Sequence, residues 1–343
     1  MLWGSLLPRR PQPAAIERIL VINISVLGDS LLLLPLLQAI HRTYPGLQIE
    51  MLVANENQKV YGYETFYHRL EIFSLKRIPV YFFRALVHPY SAVIDTGQWV
   101  RLTACLTALH IRSWKIGFST PGQYRHYAFD RLIPHNPGQW EFYHYAHLFS
   151  FLELENLHIL PAIHYPETAI EHSILQRIPE KASSAKRIVI HPGAGNLNKS
   201  WRHYRELVDR LLDQTPHILI ITGKSGEEFD KNGLRDHPRL INLQERTNLY
   251  TLNEIIRGCD LFICGNTGPL YLAAFLHKKV ITIPGPVSTN QWFWPNPEEQ
   301  CLQSGRPCHP CVYLGFEYRC RTADCLDDIT VEDMIECITR CLI

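Results

Sequence analysis

The sequence predicts an α/β protein of two doubly wound, parallel-sheet domains facing a cleft, and three observations carry that prediction. The chain has 343 residues, too many for one ordinary core and suited to two domains of roughly 150 residues each. Short apolar strands alternate with helices in both halves, the pattern of parallel sheets with crossover helices. In each half, polar glycine-bearing turns follow the strands at the carboxyl edge, where open α/β sheets place ligands.

In the first half, Arg18 to Ile24 (RILVINI) reads as a strand. The helix that follows, Asp29 to Tyr44, is apolar around nearly its whole circumference, so it is expected to be buried. Leu47 to Ala54 supplies a second strand and Ala92 to Asp95 a third, with its carboxylate at the carboxyl edge. The stretch Pro161 to Ser184, rich in proline and mixed charge, marks the boundary. The first domain is therefore assigned residues 1–165, a linker 166–185, and the second domain 186–343, with a cysteine-rich tail at 301–343. In that second domain Arg187 to His191, His217 to Thr222, Asp260 to Cys264 and Lys279 to Pro284 read as strands. Trp201 to Leu212 is expected as a helix with Tyr204, Leu207, Val208, Leu211 and Leu212 on one face. Asn248 is placed to cap a helix running through Arg257 to Gly258, and Pro269 to open another through His277.

Lys and Arg (34) almost balance Asp and Glu (33), so no overall field draws the chain to nucleic acid. The apolar residues Leu2, Trp3, Leu6 and Leu7 are interrupted by Pro8 and arginines before a signal or spanning segment is complete. The expected location is cytoplasmic. That short stretch is either a peripheral contact with the inner membrane face or a frayed terminus.

Two turns are candidates for holding an anion. His191-Pro-Gly-Ala-Gly-Asn-Leu-Asn-Lys199 joins a strand to a helix; Gly193, Ala194 and Gly195 let backbone amides approach a phosphate, and Lys199 adds a charge. It is not a dinucleotide fingerprint, since Asn198 stands where a third glycine is required, nor a P-loop. Gly265-Asn266-Thr267-Gly268-Pro269 offers a second set of amides and a hydroxyl at a helix start. The alternative is a pair of ordinary βα turns. In the first half, Ser25-Val-Leu-Gly28-Asp29 places a carboxylate at the sheet edge, as a helix cap or as a base, and the latter needs burial to raise its proton affinity.

Four of ten cysteines, Cys308, Cys311, Cys320 and Cys325, fall within 18 residues. They read as a structural four-thiol Zn or Fe site, as buried or redox-idle thiols, or, third on compartment grounds, as disulfides; a four-thiol metal site leaves no open position for substrate. No H-E-x-x-H or G-x-S-x-G motif is present.

In order along the chain, RILVINISVLGDSLLLLPLLQAI, AVIDTGQ, KIGF, HPGAGNLNKSW, ITGKSGEE, NTGPLYLAA and the Cys308 to Cys325 tail followed by DDITVEDM resemble glycosyltransferase family 9, the lipopolysaccharide heptosyltransferases. The resemblance implies a GT-B fold of two Rossmann-like domains. It implies an inverting, metal-independent sugar transfer from a nucleotide diphosphate sugar, ADP-heptose-like, to a lipopolysaccharide-type glycan, lipid-linked or protein acceptor. Asp29 and Lys199 would be catalytic, as general base and leaving-group stabiliser. Gly193, Ala194, Gly195, Glu227, Asn266, Thr267, Gly268 and Pro269 would bind the donor, and Ser25, Gly28, Asp95 and Gln98 would lie on the acceptor side. Aromatic and basic residues of the loops Tyr61 to Tyr90 and Ser119 to Tyr143, among them Tyr63, Arg69, Arg84, Tyr124, Arg125 and Trp140, suit sugars and phosphates. No cofactor is required. The family pattern D-T-G-x-x-H has Asn266 and Tyr271 here in place of its Asp and His, which motivates one alternative, a noncatalytic nucleotide-sugar-binding scaffold. A second, an NAD-dependent oxidoreductase, rests on the strand-helix alternation alone.

Overall fold

In the computed structural model the chain forms two compact units, Met1–His164 and Tyr165–Ile343. The structure describes residues 9–136, 138–154, 161–193, 200–224, 234–313 and 323–343. Ala194, Gly195, Lys199, Glu227 and Cys320 lie outside the described residues, as does the apolar stretch at residues 2–7.

Unit 1 contains strands β1 (Arg18–Asn23), β2 (Gln48–Val53), β3 (Arg69–Ile72), β4 (Ala92–Asp95), β5 (Trp114–Ser119) and β6 (Arg131–Pro134). Its helices are α1 (Leu27–Thr43), α2 (Gln58–Tyr61), α3 (Ile78–Val87), α4 (Arg101–Ala108) and α5 (Glu141–Leu148). The strands pair in the order β3-β2-β1-β4-β5-β6, all parallel. That order reverses direction between β1 and β4, creating a crevice at their carboxyl ends. Helix α1 is buried from Ser30 through Ile40, as its unbroken apolar surface requires. It starts two residues earlier than expected, so Asp29 is not a cap: Val26 is the N-cap and Asp29 stands in the first turn, where a carboxylate meets the positive helix end favourably. The segments 61–90 and 119–143 are not simply variable loops, because they contribute β3, α3 and β6.

Unit 2 contains β7 (Arg187–His191), β8 (Ile218–Ile221), β9 (Leu240–Asn242), β10 (Leu261–Gly265), β11 (Val280–Ile283) and β12 (Glu299–Cys301). Its helices are α6 (His172–Leu175), α7 (Tyr204–Gln214), α8 (Leu249–Arg257), α9 (Gly268–Phe275), α10 (Thr289–Trp292), α11 (Asp324–Asp327) and α12 (Val331–Leu342). The sheet runs β12-β11-β10-β7-β8-β9, all parallel, the same topology as unit 1 with its reversal between β7 and β10. The five expected positions of α7 are all buried, and Asn248 caps α8 by accepting from the Thr251 amide.

Residues 166–185 are tied to the rest of unit 2: the Glu171 amide donates to the Thr251 hydroxyl, Asn248 Nδ2 to the Ala169 carbonyl, and Lys181 pairs with Asp260. The tail packs into the same unit. Trp201 Nε1 donates to the Ile329 carbonyl at 2.8 Å, a Thr330–Asp333 capping box starts α12, and Met334, Cys337 and Ile338 enter the core formed with α7 and β7–β11. Among the described residues, no helix is long and apolar enough to cross a membrane.

Candidate active site

Each unit places its motif turns at the point where its strand order reverses. In unit 1, Ile22 of β1 stands in register with Asp95 of β4, so the turn after β1 (Ser25, Gly28, Asp29) and the turn after β4 (Gly97, Gln98) share one sheet edge. In unit 2, His191 of β7 stands beside Cys264 of β10, which brings Gly193 and the Asn266-Thr267-Gly268 turn to one edge.

A buried polar network supports the Asp29 turn. Ser30 Oγ donates to Asn23 Oδ1 at 2.8 Å, Asn57 Nδ2 reaches the Asn23 carbonyl, Asn23 Oδ1 and Ser30 Oγ at 2.8, 2.8 and 2.7 Å, and the Tyr61 hydroxyl donates to Asn23 Oδ1 at 2.9 Å. Asn23 Nδ2 in turn donates to Thr96 Oγ1 at 2.8 Å, tying β1 to the end of β4. Asn23, Ser30, Asn57 and Tyr61 are wholly buried. A buried network of this kind favours one geometry, because rearrangement would strand further polar groups out of water. Asp29, half-buried, rides on it. Burial raises the Tyr61 hydroxyl far above its ordinary range, and the nearby Asp29 charge adds to the effect, so Tyr61 stays a neutral donor.

The turn after β4 is held as firmly. Asp95 is fully buried against the equally buried Arg125, Oδ2 to Nη2 at 2.7 Å, and its other oxygen accepts from the Gly97 amide at 2.8 Å. Burial pushes the Asp95 carboxyl up, while Arg125, Gly97 and Thr103 pull it back. Only glycine fits at 97, since a Cβ there would lie 2.5 Å from the Thr103 hydroxyl. Asp95 and Arg125, expected among acceptor-contacting groups, are thus joined to each other. Gln98, also buried, has its carbonyl held by the Thr120 hydroxyl, and its Nε2 donates to Glu141 Oε1 and the Tyr145 hydroxyl, each at 2.9 Å. Arg69 and Arg84, likewise expected to meet phosphate or sugar, pair with Glu71. Tyr63 and Tyr124 are exposed.

Behind Gln98 lies a cluster that sequence reasoning did not single out. Glu141 Oε2 meets His135 Nε2 at 2.9 Å and His144 Nδ1 at 3.3 Å, with all three side chains fully buried. It is the one group of three convergent metal-ligand types among the described residues. The hydrogen bonds argue against a metal: His144 Nε2 accepts from the Asn136 amide at 3.2 Å, so in the neutral ring the proton sits on Nδ1 and points at Glu141, leaving no lone pair there for an ion. The cluster is instead a carboxylate with three N–H donors. Burial would raise Glu141, but the hydrogen bonds from His135 and His144 outweigh it and hold the carboxyl below its ordinary range. A sequence signal existed in the close spacing of His135, Glu141 and His144, but nothing in that spacing connects them to Gln98.

In unit 2, Ser200 Oγ donates to the Pro192 carbonyl at 3.0 Å, which ties together the two ends of the loop carrying Lys199. His191 is buried with Nδ1 3.0 Å from the Thr222 hydroxyl, and burial lowers its pKa to about 4, so it is neutral near pH 7. Thr267 is the N-cap of α9 yet its side chain makes no capping bond, and its buried Oγ1 has no hydrogen-bond partner among the described residues. A buried hydroxyl left unmatched at a helix N-terminus is suited to an incoming anion. Pro269 lies in the first turn of α9. Tyr271 is buried, and its hydroxyl donates to the Trp292 carbonyl at 2.5 Å, joining α9 to α10.

The tail thiols Cys308, Cys311 and Cys325 do not converge as a ligand group among the described residues. The described geometry therefore lends the Zn or Fe expectation no support.

The family model "Glycosyltransferase family 9 (heptosyltransferase)" matches residues 81–320. The chain belongs to glycosyltransferase family 9. It is 26% identical over 182 residues to lipooligosaccharide heptosyltransferase 2 of Campylobacter jejuni, covering 50% of this chain and 56% of that protein; the match spans little more than half the length of that relative. Among solved structures, a family 9 glycosyltransferase of Veillonella parvula superposes with a TM-score of 0.72 at 15% identity, over 95% of this chain and 97% of that one. The ADP-heptose lipopolysaccharide heptosyltransferase II of E. coli gives 0.70 at 18% identity, over 95% and 98%. At such identities these likenesses establish the fold, which is GT-B.

Proposed function

We propose that this family 9 chain is an inverting glycosyltransferase that moves a sugar from an ADP-heptose-like donor to a lipopolysaccharide-type glycan acceptor. The observation that carries the reading is the placement of the family turns at the reversal point of each sheet, with the unmatched Thr267 hydroxyl at the start of α9 and Asp29 on a buried network. Gly193, Ala194, Gly195, Asn266, Thr267, Gly268 and Pro269 bind the donor diphosphate, Glu227 the ribose, and Ser25, Gly28 and Gln98 line the acceptor side, with Asp95 acting through Arg125 and Gly97. Asp29 accepts the proton of an acceptor hydroxyl as its oxygen attacks the anomeric carbon. The bond from that carbon to the diphosphate oxygen breaks, and the departing nucleoside diphosphate keeps the electron pair. Lys199, Thr267 and the Gly268 amide stabilise the charge that builds on it, an effect of about 10²- to 10³-fold in rate for one such donor. Neither Zn nor Fe takes part, and a metal in the tail at Cys308, Cys311, Cys320 and Cys325 would be structural. Cys105, Cys259, Cys264, Cys301, Cys308, Cys337 and Cys341 are free thiols, which suits a reducing, cytoplasmic setting.

The test begins with thermal stabilisation by ADP, GDP, UDP, dTDP and NADH, since a ligand at about 100 times its dissociation constant adds about 2.7 kcal/mol. ADP should stabilise and Lys199→Ala should remove the effect. Asp29→Asn should keep nucleotide binding and lose turnover by roughly 10²- to 10⁴-fold. Stabilisation by NADH alone would sink the transferase reading, and binding of nucleotide sugar without turnover on any acceptor would favour a noncatalytic scaffold.

A further inference from the structure

We propose that the outward face of α3 is a docking surface for an anionic lipid bilayer. The inward side of α3 is ordinary: Tyr81 and Ala85 are buried, and Tyr81 and Ile78 pack with Leu20, Ile22, Leu52, Tyr90, Val93 and Leu106. The outward side is not. Val80, Phe83 and Val87 are 46%, 67% and 47% exposed, and Leu75, one turn before the helix, is 64% exposed. The spacing of Val80, Phe83 and Val87 puts these three in one stripe, on the face where a helix of a soluble domain carries charged and polar side chains. The only charged residue within α3, Arg84, turns inward to Glu71 at 2.5 Å.

Basic groups outnumber acids along this stretch. Residues 65–94 carry four Lys and Arg against a single acid, Glu71, in a chain whose totals are 34 and 33. Glu71 is buried and met by three guanidiniums, those of Arg69, Arg77 and Arg84, at 3.3, 2.9 and 2.5 Å, so positive charge is left over. Lys76 and Arg77 are exposed at the start of the helix. At its other end Arg112, also exposed, donates from Nη1 to the Leu86 carbonyl at 2.8 Å.

An apolar stripe with cations at both ends matches a bilayer surface, where Phe, Leu and Val enter the boundary of the acyl chains and Lys and Arg meet lipid phosphates. A second copy of this chain fits poorly, because a two-fold contact through α3 would set like cations against each other. Leu75 to Arg77 follow the carboxyl end of β3, the sheet edge that also bears Asp29 and Gln98, so a docked unit 1 would bring that edge close to the lipid surface. The inference stands whether or not the transferase reading does.

It is tested by co-sedimentation of the whole protein with vesicles of phosphatidylglycerol and phosphatidylethanolamine that contain no glycolipid, against vesicles of phosphatidylcholine, at low and high salt. The protein should bind the anionic vesicles, and salt should weaken binding. Phe83→Ser and Leu75→Ser should each weaken it about tenfold, and Lys76→Glu at least about fivefold, with melting temperature and nucleotide response unchanged because all three side chains are exposed. Failure to bind anionic vesicles overturns the proposal, as does binding that these variants leave unaltered. A wild-type dimer that Phe83→Ser turns into a monomer would assign the face to a second copy.

Discussion

Replacing Glu141 by Gln alters little but charge and hydrogen-bonding sense, so its consequence can be worked from the contacts. The carboxylate accepts from Gln98 Nε2 at 2.9 Å, His135 Nε2 at 2.9 Å and His144 Nδ1 at 3.3 Å. A glutamine offers one accepting oxygen and turns an amide donor toward the same three donors, so at least one N–H is stranded in a dry site. A buried unpaired donor costs about 1–3 kcal/mol, and hydrogen bonds to a charged group are worth about 1.5–3 kcal/mol each; Glu141→Gln should therefore destabilise unit 1 by about 2–5 kcal/mol. The loss should depend on pH in a defined sense. The folded-state pKa of Glu141 is depressed below 4.5, so its contribution is fully present above that value and is lost as pH falls through the folded pKa. The gap between wild type and variant should accordingly be constant from neutral pH down to about 5 and shrink at lower pH. Amide hydrogen exchange of β4 and β5 measured across that range reports on the unit concerned rather than on the whole chain. A loss below about 1 kcal/mol at pH 7, less than one buried unpaired donor costs, or a gap that persists into acid, would refute the account of Glu141 as an anion held by three donors.

Three further outcomes are expected. Asn57→Ala removes three hydrogen bonds from beneath the Asp29 turn; kcat should fall about 10- to 100-fold with nucleotide affinity unchanged, and steady-state kinetics beside nucleotide titration separates the two. Tyr271→Phe forfeits the bond to the Trp292 carbonyl and should lower stability by about 1 kcal/mol while turnover persists; a drop in kcat with no loss of stability would instead place Tyr271 at the reacting atoms. Glu299, whose buried Oε1 lacks a partner among the described residues, is raised by burial from 4.5 to about 8, so the folded state holds an extra proton between those values and loses stability as pH rises through them. Glu299→Gln should remove that slope and gain on the order of 3 kcal/mol at pH 9 relative to pH 5, as unfolding curves at the two values would reveal.

Local chemistry was enough to read much of this protein from its sequence. Val and Ile runs placed β4 and β7 at their observed bounds, because a strand buried on both faces needs an unbroken apolar run. The Asn248 cap and the first-turn Pro269 were legible because capping involves residues only a few positions apart. Alternation of strands and helices determined the α/β class, and polar turns after β1, β7 and β10 marked the carboxyl edges of the two sheets. Tertiary structure decided what depends on residues far apart in the chain. That Asp95 is matched by Arg125, thirty positions away, and that Gln98 is held by Glu141, follow from the order in which strands pair, which no local pattern encodes. The same holds for Asn57 beneath the Asp29 turn and for Tyr271, whose hydroxyl finds a backbone carbonyl on α10. Residue type alone records that a side chain carries charge or a hydroxyl. Whether that group faces a ligand or is consumed by a buried partner is set only when the sheet brings distant turns to one edge, since burial obliges every polar group to find a partner.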